Sequence, residues 1–130
     1  MNLESTKVIV QKSNKIVFEF LTKVENFEQL MPENTDKFEA NEDSFLFALK
    51  GMPVIKLKLQ EESTVNTIVL ASTNDKFPFT LKGNVIKLND TSSEVQLKFD
   101  GKFNAMMAMM IKNPIQKFIN TLAENIEKKV

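Results

Sequence analysis

A single apolar stripe runs through the last part of this chain. Met107, Ile111, Ile115, Phe118, Leu122 and Ile126 recur at the spacing of one helical face, while Lys112, Gln116, Asn120 and Lys128 fall on the other. The stripe keeps its phase through Pro114, whose missing N–H and bulky ring predict a bend near Met110 rather than an end. Over residues 104–129 the helix would be about 39 Å long at about 1.5 Å per residue. A helix of that length can cross a whole sheet, and an antiparallel sheet with one apolar face needs such a cover.

The middle of the chain supplies the sheet. Phe45, Phe47 and Leu49 alternate with Leu46, Ala48 and Lys50. Ile55, Leu57 and Leu59 alternate with Lys56, Lys58 and Gln60, a set that reads as the convex, solvated side. Val95, Leu97 and Phe99 alternate in the same way, and a period of two over this length means half-buried strands. Turn residues separate them at Asn41-Glu42-Asp43, Gly51-Met52-Pro53, Glu61-Glu62-Ser63, Ser72 to Asp75 and Asn89-Asp90-Thr91. Short turns join antiparallel neighbours, so a meander is expected. Residues 65–71 show two competing phases, and residues 77–88 lose alternation around Gly83, where a bulge or bend is expected.

Before the sheet, residues 6–10 read as a strand and Ser13 as the N-cap of a helix of about three turns. Its face is Ile16, Val17, Phe20, Leu21 and Val24. A second short helix over residues 26–31 carries Phe27, Leu30 and Met31, and Pro32 ends it. The expectation is one α+β domain over residues 1–130: an antiparallel sheet of about seven strands, two short helices after the first strand, and one long C-terminal helix.

Composition removes most catalytic devices. With 130 residues and no His or Cys, the chain is long enough for an ordinary core but lacks disulfides, thiolate chemistry, common zinc sites and Ser-His or Cys-His pairs. No metal site or cofactor is expected. The 17 cations are all lysines, balanced by 17 acids and interspersed with them, so nucleic acid is not an expected partner. No apolar run approaches the roughly 18 residues of a membrane span, and residues 1–10 show no basic stretch followed by an apolar one, so cytoplasmic location is expected.

The element order resembles the helix-grip fold of the START and Bet v 1-like superfamily, also called SRPBCC or polyketide cyclase/dehydrase-like. The resemblance spans nearly the whole chain. It is carried by Val17, Phe18, Phe20, Leu21, Asn26, Leu30, Met31 and Pro32 in the first helical segment, and by Phe103, Asn104, Pro114, Phe118 and Leu122 in the last. These residues are apolar or structural, so they identify a fold better than an activity. The resemblance implies a strongly curved sheet and an internal cavity for lipids, sterols, polyketides or other apolar molecules, with catalysis or chaperone contacts in some members. The absence of Tyr, Trp, His, Arg and Cys leaves few counterparts for the polar residues of enzymatic members.

On that reading the ligand-binding candidates are Phe20, Phe45, Phe47, Leu57, Phe79, Leu97, Phe99, Met106, Met107, Met110 and Ile111. Phe45, Phe47, Phe77, Phe79 and Phe99 are expected on the concave side, where ordinary core is the better reading and an apolar pocket wall the alternative. Met106, Met107, Met109 and Met110 form an adaptable, polarisable cluster that suits a pocket mouth or irregular packing. They lie on several sides of the helix, so at least one of Met106 and Met109 should be exposed. Asn66, Thr67 and Thr80 are the only polar points on the middle strands, and each reads as solvent-facing. The turn carboxylates Glu42, Asp43, Glu61, Glu62 and Asp90, with Glu19, Glu28 and Glu39, form no evident acid/base pair, so no catalytic residue is nominated.

The function expected from these residues is non-catalytic binding of a small hydrophobic molecule, lipid-like or polyketide-like, between sheet and C-terminal helix. The rivals are a cyclase or dehydratase-type enzyme, and an interaction module whose Met-rich patch meets a partner or forms a weak homodimer.

Overall fold

The computed structural model describes residues 1–61, 63–75 and 77–130; Glu62, one of the turn carboxylates considered above, lies outside them. In chain order come β1 (Asn2–Glu4), β2 (Val8–Val10), α1 (Asn14–Thr22), a 3₁₀ segment (Val24–Leu30), β3 (Thr35–Ala40), β4 (Ser44–Leu49), β5 (Ile55–Leu59), β6 (Thr67–Ser72), β7 (Phe79–Asn89), β8 (Ser92–Gly101) and α2 (Ala105–Lys129). Among the described residues the strands form one eight-stranded sheet, ordered β1-β8-β7-β6-β5-β4-β3, with β2 also on β8. Every pairing is antiparallel, as the short turns require. No helix is long and apolar enough to cross a membrane among the described residues.

Ser13 caps α1 as expected, its Oγ accepting from the Ile16 N–H at 3.3 Å. Val17 and Leu21 turn into the core, whereas Ile16 stays in solvent because α1 is a nine-residue helix presenting only one narrow face to the sheet. Asn26 Nδ2 donates to the Phe20 carbonyl at 3.0 Å and satisfies the end of the helix. Ser13→Ala should lower stability by about 1 kcal/mol, read as a shift of the urea midpoint with unchanged slope. No shift would mean that packing alone sets the start of α1.

Four local expectations are corrected. Instead of one strand over residues 6–10, β1 and β2 flank a kink at Ser5. The Ser5 N–H donates to the Leu97 carbonyl at 2.8 Å while its Oγ accepts from the Leu97 N–H at 2.9 Å, so a side chain stands in for a ladder carbonyl. Gln116 and Asn120, assigned above to the solvent face of α2, tie down that kink: Gln116 Nε2 donates to the Glu4 carbonyl at 2.8 Å, and Asn120 Oδ1 accepts from the Thr6 N–H at 3.2 Å. Gly83 makes no bulge. The register runs through Ile68, Gly83 and Leu97, and the irregularity lies between Lys87 and Asn89. Gly83 occupies the inward phase with Phe79, Leu81 and Val85, and a Cβ there would sit 3.4 Å from Leu97 Cδ2. β3 was not anticipated, since its Thr-Asp-Lys-Phe-Glu-Ala sequence is a charged free edge with half-buried Phe38.

The core lies between the sheet's apolar face and the helices. In β6 both phases are buried: Ile68 and Leu70 join the core, and Val69 is covered on the other side, where its N–H donates to Ser63 Oγ at 2.9 Å. Asn104 caps α2, accepting from the Met107 N–H at 2.8 Å. The helix continues through Pro114, and Ile115, Phe118, Ile119, Leu122, Ala123 and Ile126 are buried beyond it. The α2 backbone packs closely on β1, β2, β8 and the 3₁₀ segment. Across to β4 it reaches by side chain, with Phe118 stacked on Phe47 at 5.0 Å between ring centroids. Alongside the first turns of α2, before the buried stretch that begins at Ile115, space is left.

Candidate functional site

That space is a cavity of about 280 Å³. The first turns of α2 contribute Met107, Met110, Ile111 and Ile115; the sheet contributes Ile55, Ser72, Phe79 and Phe99. The β4–β5 loop contributes Gly51, Met52, Pro53 and Val54, and Asn74, Phe77 and Phe103 complete the lining. The loop is shaped by Gly51, whose φ of 82° suits a residue without Cβ, and the Met52 N–H closes the turn on the Leu49 carbonyl at 2.9 Å. Among the described lining residues Ser72 and Asn74 bring the polar side chains, and none is ionisable. Such a surface can desolvate an apolar molecule, and its described lining brings no ionisable side chain to it.

The phenylalanines divide into two chains of stacked rings. Phe45 stacks on Phe27 at 4.8 Å, on Phe38 at 5.5 Å and on Phe47 at 6.0 Å, and Phe47 continues to Phe118. This chain fills the closed core. Phe79 stacks on Phe99 at 4.9 Å, and Phe99 on Phe103 at 6.2 Å, forming one wall of the cavity. Aromatic faces thus close one half of the sheet and leave the other half open.

Of the residues nominated from sequence, Phe79, Phe99, Met107, Met110 and Ile111 meet in the cavity. Phe45, Phe47, Leu57 and Leu97 sit in the closed core, and Phe20 lies half-buried on α1. Met106 is 75% exposed and off the lining; Met109 at 82% and Met110 at 72% are also open to solvent. Two of the four methionines therefore border the cavity, Met107 from a partly buried position and Met110 from solvent, while Met106 and Met109 do not. Asn66, Thr67 and Thr80 stay off the lining, whose polar points are Ser72 and Asn74. Among the lining residues not nominated, Ile55 and Ile115 lie on the periodic faces read above, whereas Phe103 and the loop 51–54 carry no periodicity, although Gly51-Met52-Pro53 is legible as a turn.

The described carboxylates considered above are all exposed, with Asp43 paired to Lys58 at 3.8 Å and Asp90 to Lys87 at 3.3 Å. Among the described residues no group of three or more Asp or Glu comes close enough to hold a metal ion.

No family model matches the sequence, and no curated protein matches it. Solved structures do match in three dimensions. The protein XoxI from Bacillus cereus aligns with a TM-score of 0.74 at 10% identity, over 98% of this chain and 93% of that one. A START superfamily protein from Mycobacterium smegmatis aligns with a TM-score of 0.68 at 13% identity, over 99% of both chains. Norcoclaurine synthase from Thalictrum flavum aligns with a TM-score of 0.75 at 10% identity, over 98% of this chain and 84% of that one. At these identities the likeness is one of fold: the chain has the helix-grip fold of START and Bet v 1-like proteins.

Proposed function

We propose that this chain, built on the helix-grip fold, is a single domain that binds a small apolar molecule between the start of α2 and the sheet, without catalysing its conversion. The observation that carries the reading is the cavity itself: about 280 Å³, walled by Phe79, Phe99, Phe103 and Met107, with no ionisable group among its described lining residues. A norcoclaurine synthase of the same fold was crystallised with dopamine and hydroxybenzaldehyde, which supports small-molecule occupancy for this architecture. A chain without cysteine is also in keeping with a cytoplasmic location.

Mass spectrometry of the purified protein under native and denaturing conditions tests the proposal directly by looking for a retained small molecule. Single Met→Lys variants locate the site. Met110→Lys should weaken binding of an apolar fluorescent probe about tenfold while changing stability by less than about 0.5 kcal/mol, because the side chain is exposed yet borders the cavity. Met106→Lys should change neither. Met107→Lys should impair both, since its partly buried side chain would carry an unpaired charge into apolar surroundings. Equal binding by all three variants would remove the cavity reading.

A second reading, contact with another protein or a second copy, rests on the exposure of Met106 and Met109. It predicts that Met109→Lys abolishes an association detectable by sedimentation while leaving probe binding intact.

A further inference from the structure

Beside the apolar cavity lies a second opening of different character, separated from it by the β4–β5 loop. Its volume is about 580 Å³, and both openings are lined by Gly51 and Met52. Where the described lining of the first has Ser72 and Asn74 as its polar side chains, the second gathers Lys50, Lys117, Asn34, Asn113 and Thr121. None of its described lining residues is acidic. The chain as a whole balances 17 lysines against 17 acids, so a basin with two ammonium groups and no carboxylate is a local departure from neutrality. Neither lysine belongs to an ion pair among the described residues, where the pairs are Lys58 with Asp43 and Lys87 with Asp90.

We propose that the molecule taken by the apolar cavity is an anionic amphiphile, whose hydrocarbon body lies against Phe79, Phe99 and Phe103 and whose acidic head crosses the Met52 wall to Lys50 and Lys117. The inference rests on the binding function proposed above and narrows it to a ligand class. A polar head inside the first cavity would lose water and find, among the described lining residues, two neutral polar side chains, which leaves it poorly solvated. In the second opening it keeps water and meets cations and amide donors. Met52 is unbranched and flexible, so the wall between the two can yield to a chain passing over it. The sign of the lysines selects a carboxylate or phosphate over a neutral or cationic head.

Calorimetric titration with decanoate, decyl phosphate, 1-decanol and decylamine tests this. At low salt either acidic ligand should bind about tenfold more tightly than the alcohol, and the amine more weakly than the alcohol. The preference should shrink as salt rises, because both lysines are exposed and their fields are screened. The Lys50→Gln, Lys117→Gln double variant alters only exposed side chains; it should bind decanol as the parent does and lose the acid preference. The better of decanoate and decyl phosphate identifies the head. If the parent binds decanol as tightly as both acids, or the double variant keeps the preference, the charge assignment is overturned and the apolar pocket stands. Failure of all four ligands to bind overturns both.

Discussion

Truncating Phe118 to alanine should cost the fold about 3–5 kcal/mol, the largest loss expected from a single substitution outside charge burial. Phe118 is only 5% exposed, and its ring stacks on Phe47 at 5.0 Å with 12° between planes. It is the side chain by which α2 reaches across to β4, which the helix backbone does not approach as it does β8. Removing it leaves a void bordered by Phe47 on one side and the polar opening on the other, with little backbone freedom to collapse. Thermal unfolding should fall by on the order of 10–20 °C. Leu122→Ala, at a site 1% exposed, should follow with about 2–5 kcal/mol. Losses below about 0.5 kcal/mol at both positions would mean that α2 does not close the sheet.

The second large effect is expected at Gly101, where β8 ends and the chain turns into α2. Gly101 is buried and pairs with Phe79 across the β7–β8 ladder. A Cβ there would meet Phe103 Cε2 at 2.5 Å and Phe79 Cβ at 2.9 Å. The Phe103 ring can swing away, but the Phe79 Cβ is fixed to the strand backbone. Gly101→Val should therefore destabilise by about 1–3 kcal/mol through overpacking, because moving Phe103 relieves only one of the two contacts and the other needs a shift of the strand backbone. Since Phe79 and Phe103 both line the cavity, the same variant should also lose affinity for an apolar probe. Paired measurements of urea midpoint and probe binding check this; a variant with parental values of both would show that Gly101 is not a packing constraint.

Hydrophobic period made the sheet and the long helix legible. Phe45, Phe47 and Leu49 face inward as their alternation implies, and the stripe from Ile115 to Ile126 is buried. Period reports a face but not the depth behind it. Phe45 and Phe99 carry the same signature, yet one is stacked in the closed core and the other walls the cavity. β3 stayed hidden because an edge strand with polar flanks has no inward phase beyond Phe38. The Met52 wall stayed hidden because its residues work from a turn, where neighbouring strands rather than spacing decide what they touch. Gly83 misled because a residue with no side chain breaks a pattern of side chains without breaking the strand.

α2 divides its labour at Pro114. The turns after it hold the fold through Ile115, Ile119, Leu122 and Ile126, while the turns before it carry the exposed Met106, Met109 and Met110. Natural selection can therefore act on the two halves separately. A lineage may replace exposed lining residues one at a time, each step nearly neutral for folding, and arrive at a new ligand without ever passing through an unstable ancestor. The same freedom is closed to the inward face of the second half, where Ile115, Phe118, Ile119, Leu122, Ala123 and Ile126 are buried. Directed evolution of binding specificity should accordingly find its accepted changes at the exposed lining residues Pro53, Val54 and Met110, and laboratory libraries confined to those positions should keep most of their members folded.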